Sequence, residues 1–144
     1  MHIPTAMKLF LLVFFVSIGS NAGAEDKTKL ERTMSATNKA FKTVRRQSSD
    51  SSKNKESAKL VEKMIENSKR AIKLKPKWTV DQPKDEQKAY VEGYKKEMQA
   101  TIKLLERLKI AFERGKNNDA NNIIADIRQQ QKKNHKKYKK PDED

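Results

Sequence analysis

The sequence predicts an all-α protein, an antiparallel up-down-up-down four-helix bundle. Three observations predict it. Four segments repeat their apolar residues at helical spacing, no segment alternates with the period of two of a strand, and the breaks between segments are shortish and marked by proline, glycine or polar runs. Such connections favour antiparallel packing of successive helices. No internal repeat is evident.

In the first segment Leu30, Met34, Phe41 and Val44 recur on one face, with Thr37 between them. The run Gln47-Ser48-Ser49-Asp50-Ser51-Ser52 ends it, because these short polar side chains compete for backbone hydrogen bonds. The second segment carries Val61, Met64, Ile65, Ser68, Ala71 and Ile72 on one face and stops at Pro76. Pro76 and Pro83 bracket a stretch with Trp78 and Val80 whose pattern is too irregular for a helix.

The third segment runs from about Lys84 to Arg114, with Tyr90, Tyr94, Met98, Ile102, Leu105, Leu108 and Phe112 along its stripe. Gly115 stands where a left-handed C-cap belongs. Asn117 or Asn118 is expected to cap the fourth segment, whose inner face reads Ile123, Ile124, Ile127, Gln131, His135 and Tyr138. Lys139 and Lys140 suit the negative end of the helix dipole, and Pro141 stops the helix.

A leader precedes these segments. Lys8, the apolar run Leu9 to Ile18 broken only by Ser17, and the small residues Ala22-Gly23-Ala24 are the parts of a secretory signal peptide. The run is too short to span a bilayer. Cleavage is expected after Ala24, giving a leader of residues 1–24, a bundle domain of residues 25–144, and a periplasmic location. Met7 would serve as an initiator as well as Met1. No stable membrane insertion is expected once the leader is gone.

Exported chains commonly carry disulfides, yet this one has no cysteine. Its domain must be held by its core or by a ligand. The formal net charge is +14 over 144 residues, and losing Lys8 with the leader removes only one unit. That excess biases the chain toward acidic partners and says nothing about fold.

His135 is the sole histidine outside the leader, where His2 lies. In an up-down bundle the first and last helices are antiparallel neighbours, so Met34, early in one, and His135, late in the other, belong at the same end. A thioether facing an imidazole across an apolar slot is the axial pair of an electron-transfer haem. With no Cys-x-x-Cys-His the haem would be a non-covalent haem b, one per chain. On spacing alone, Met34 also fits as a core filler and His135 as a solvated residue in Lys132-Lys133-Asn134-His135-Lys136-Lys137.

Glu113-Arg114-Gly115-Lys116, Ala120, Ile127 and Asn134-His135-Lys136-Lys137-Tyr138 resemble the closing helix of the soluble cytochrome b562 family, exported four-helix-bundle haem proteins. Leu30-Glu31-Arg32-Thr33-Met34-Ser35-Ala36-Thr37-Asn38 is similar to that family's opening helix, and Lys63-Met64 and Lys75-Pro76-Lys77 fit its middle more loosely. The resemblance implies an electron carrier rather than an enzyme, with Met34 and His135 as axial ligands to the haem iron. The family places phenylalanines against the haem from the third helix, whereas this chain offers Tyr90, Tyr94 and Met98 there, in either of two registers about one turn apart. This chain also has Gln131 where an arginine stands near the haem edge, with Lys132 and Arg128 as neighbouring cations.

Rival functions find less support. The lysine cluster at the end of the fourth helix has one aromatic, Tyr138, so specific nucleic-acid binding is not expected. There is no second histidine outside the leader, no cysteine nucleophile and no Glu-x-x-His pair for a di-iron centre. The remaining alternative is a haem-free periplasmic bundle that holds an anionic partner on its basic face. The expected partners are haem and an acidic redox protein, and the expected state is a monomer.

Overall fold

The computed structural model describes residues 27–139. The expected leader and its cleavage point lie outside the described residues, as does Pro141. Four helices are present: α1 (Lys29–Gln47), α2 (Asn54–Ala71), α3 (Gln87–Glu113) and α4 (Asn117–Tyr138). They form the expected antiparallel up-down-up-down bundle, and no strand occurs among the described residues. No helix among these residues is long and apolar enough to cross a membrane.

α1 starts at a capping box. The Thr28 hydroxyl accepts the Glu31 amide at 3.1 Å, and the Glu31 carboxylate reaches back to the Thr28 amide. At its far end the Ser48 hydroxyl turns onto the Arg45 carbonyl at 3.1 Å. Asp50 then caps a 3-10 turn, Ser51–Lys53, which leads directly into α2. The stretch between Pro76 and Pro83 is more regular than its sequence suggests, because Lys77–Asp81 form a 3-10 helix. Pro76, which has no amide to leave unpaired, immediately precedes that turn.

α3 begins later than expected because Pro83 first starts a turn, its carbonyl accepting the amides of Glu86 (2.9 Å) and Gln87 (3.1 Å). It ends as expected at Gly115, with φ of +67°. The Lys116 amide bonds the Ala111 carbonyl at 2.8 Å and the Gly115 amide bonds that of Phe112 at 3.0 Å, the two bonds of a Schellman cap. α4 does not take the expected asparagine cap. Lys116 precedes it without a side-chain cap, and Asn117 is its first helical residue. The Asn117 carboxamide is used sideways instead, donating to the Ser48 carbonyl at 2.7 Å and pairing with the Asn54 carboxamide at 2.8 and 3.0 Å. That tie joins the starts of α2 and α4 to the end of α1.

The core divides into two clusters of different chemistry. The larger runs through Phe41, Val44, Val61, Met64, Ile65, Leu105, Leu108, Phe112, Ile124 and Ile127, and is mostly aliphatic. The smaller sits at the end formed by the start of α1, the end of α2, the start of α3 and the end of α4. It contains Ala71, Tyr94, Met98 and Tyr138, with Leu30, Met34, Ile72 and Tyr90 packed against it. Burial of the aliphatic cluster supplies the main driving force for collapse. The smaller, aromatic and sulfur-containing cluster lies where the sequence put its candidate ligands.

Candidate cofactor-binding site

The helices pack tightly in order, α1 on α2, α2 on α3 and α3 on α4, but the backbones of α1 and α4 approach one another at few points. Side chains bridge this fourth edge. Near the closed end the Ser48 hydroxyl donates to the Asn121 carboxamide at 2.6 Å. Further along, the Gln131 carboxamide donates to that of Asn38 at 3.4 Å. In an antiparallel pair the numbers of facing residues have a constant sum, and in both bridges it is 169. Met34 and His135 have the same sum and therefore stand level, one helical turn beyond the Asn38–Gln131 bridge.

Met34 is half-buried against the aromatic cluster, at the edge of the core. The inner stripe expected of α4 holds for Ile123, Ile124, Ile127 and Tyr138, all buried, but not for its remaining members. Gln131 is half-buried and His135 is exposed. The backbones of α1 and α4 approach at few points, so this flank of α4 is less covered than the stripe that faces the core.

The last two turns of α4 are fastened from α3. Glu97 holds the Gln130 carboxamide and bonds the Lys133 ammonium at 3.3 Å. Burial alone would raise the Glu97 carboxyl, but these two donors outweigh it and hold the pKa below its ordinary value. The Tyr90 hydroxyl donates to the Lys137 carbonyl at 3.1 Å. The Tyr138 ring lies against Tyr90, centroids 5.0 Å apart, and edge-on to Tyr94 at 5.6 Å. Tyr94 donates to the Ala71 carbonyl at 2.8 Å, tying α3 to the end of α2. Desolvation pushes the Tyr90 phenol up to about 12 and that of Tyr94 further still, so both stay neutral donors throughout the physiological range.

A concavity of about 670 Å³ lies at the opposite end of the bundle between α2 and α3. Its lining mixes Lys55, Lys59 and Lys109 with Glu62 and Glu113 around Phe112, and supplies no thioether or imidazole. Among the described residues no group of three or more His, Cys, Asp or Glu could hold a bare metal ion. The donor set at the other end, one thioether and one imidazole at one level beside aromatic side chains, suits an iron porphyrin instead. Asn38, Gly93 and Glu97 escaped the sequence reading. Their partners lie on other helices, and the constant sum of antiparallel neighbours was the signal available for Asn38.

Fold and site together define the class, an all-helical bundle whose first and last helices leave an open edge with a sulfur and an imidazole donor at one level. The model of the family described as cytochrome b562 matches residues 29–139, and the chain belongs to that family. Membership brings with it a haem cofactor and the role of an electron carrier. Neither the curated proteins nor the solved structures include a significant match.

Proposed function

We propose that this chain is a periplasmic electron carrier holding one non-covalent haem b, with Met34 and His135 as the axial ligands of its iron. The observation that supports this reading is the register of α1 against α4: the Ser48–Asn121 and Asn38–Gln131 bridges share one antiparallel register, and Met34 and His135 fall on the same register. The haem supplies a one-electron iron couple. The protein would hold that iron through both Met34 and His135, leaving oxygen or a substrate no free site. It also provides, in the thioether, a soft neutral ligand that favours the ferrous state. The lysines of α4 would meet an acidic redox partner.

An absorption titration of the purified protein with haemin tests this. A one-to-one change to a low-spin spectrum, with a sharp reduced α band lost in Met34→Ala and in His135→Ala, is expected. Weak, non-saturating binding indifferent to both substitutions would overturn it. One observation favours a second reading: His135 is exposed among the exposed Lys132, Lys133, Lys136 and Lys137, as on a basic face that holds an anionic partner without haem. His135→Ala separates the two, since charge-driven binding would survive it.

A further inference from the structure

Gly93 sits inside α3, where glycine costs about 1 kcal/mol relative to alanine. Its φ is not left-handed, so the backbone does not require it. The reason lies across the core. A Cβ built on Gly93 would stand 2.7 Å from the hydroxyl oxygen of Tyr138, closer than real side chains come. The missing side chain is therefore the notch into which the tip of Tyr138 fits. Tyr138 is 9% exposed, and its hydroxyl, although buried, makes no hydrogen bond to the protein. Tyr90 and Tyr94 pack against the ring, with centroids 5.0 and 5.6 Å away.

His135 lies three residues before Tyr138 on the same turn of helix. Contacts from α3 hold this end of α4: the Gly93 notch, the Tyr90 bond to the Lys137 carbonyl, and Glu97 one turn back. We infer that Gly93 and Tyr138 form a positioning pair, a notch and a knob that set the height and rotation of His135 and thereby its bond to the haem iron. The inference rests on the proposal that His135 is a ligand. It adds that α3 takes part in placing the ligand, although α3 carries neither Met34 nor His135.

The test is a set of four proteins, wild type, Gly93→Ala, Tyr138→Phe and the double variant, each titrated with haemin and each melted without it. In Gly93→Ala the new methyl meets the hydroxyl, so haemin affinity falls by about tenfold or more and part of the bound haem becomes five-coordinate and high-spin. Tyr138→Phe removes the oxygen seated in the notch and is the reference against which the double variant is read. In the double variant the shortened ring clears the methyl, and the six-coordinate spectrum returns. Tyr138→Leu, which empties the notch at a helix end, is a second probe: it keeps the bundle folded and loses six-coordination.

A low-spin spectrum and unchanged affinity in both Gly93→Ala and Tyr138→Leu would overturn the pairing. So would a double variant no better than Gly93→Ala. Failure of the haem reading looks different: wild type itself would not bind haemin stoichiometrically, while the apo melting temperatures would still report whether Tyr138→Phe rescues Gly93→Ala.

Discussion

The Gln131 carboxamide of α4 reaches that of Asn38 on α1 across the widest edge of the bundle, at 3.4 Å. Each of these residues lies four positions from a candidate ligand, Asn38 after Met34 and Gln131 before His135. The bridge therefore lies one helical turn further into the bundle than both candidate ligands.

The two candidate ligands are expected to separate function from folding. His135 is exposed, so His135→Ala should leave the stability of the haem-free protein within about 0.5 kcal/mol of wild type. The same substitution should abolish the six-coordinate spectrum. Met34 is half-buried against the aromatic cluster, so Met34→Ala should cost more, about 1 kcal/mol, besides losing its axial bond. Urea unfolding of the haem-free variants measures both values. A large loss in His135→Ala would mean that His135 serves the fold.

Haem should in turn stabilise the bundle. A ligand that binds only the folded state, present at a hundredfold over its dissociation constant, adds about 2.7 kcal/mol. No disulfide supplies a competing source of stability, since the chain has no cysteine. Calorimetry with and without saturating haemin is expected to show a clear rise in melting temperature, absent in His135→Ala.

Substitutions in the aliphatic cluster should behave in the opposite way. Leu105 and Phe112 are each 1% exposed and belong to the cluster away from the candidate ligands. Truncation of either to alanine should cost about 2–5 kcal/mol by leaving a cavity. The spectrum of whatever protein remains folded and loaded should be that of wild type. A change of spin state in Leu105→Ala would show that the two clusters are mechanically coupled.

Much of this arrangement was legible in the sequence, and the parts that were not share a cause. Helix existence and the Gly115 cap follow from local pattern, because periodicity and a left-handed turn are properties of neighbouring residues. The common end of Met34 and His135 follows from helix order alone. Asn117 misled because an asparagine before an apolar run is ordinarily a cap, whereas here its carboxamide satisfies partners on α1 and α2 instead. His135 was expected inside because it continues the stripe of α4. Its exposure depends on how far α1 stands away, which periodicity within one helix does not encode. Gly93 is the same case, a glycine whose purpose is visible only once Tyr138 of another helix is in place.

Alkaline pH should loosen the candidate site before it affects the aliphatic core. Tyr90 is pushed up to about 12 and Tyr94 higher by burial, against an ordinary value of about 10. A raised pKa means that the folded state keeps its proton where the unfolded chain has lost it. The stability these phenols contribute is therefore whole below pH 10 and is lost progressively as pH rises toward and past 12. Tyrosinate absorption should accordingly lag that of the urea-unfolded protein across this window. Tyr94→Phe should give up about 1 kcal/mol at neutral pH with its bond to the Ala71 carbonyl, yet lose less than wild type between pH 9 and pH 11. Urea midpoints at those two values measure the difference, and equal losses in the two proteins would mean that Tyr94 ionises as freely in the folded state as in the unfolded one.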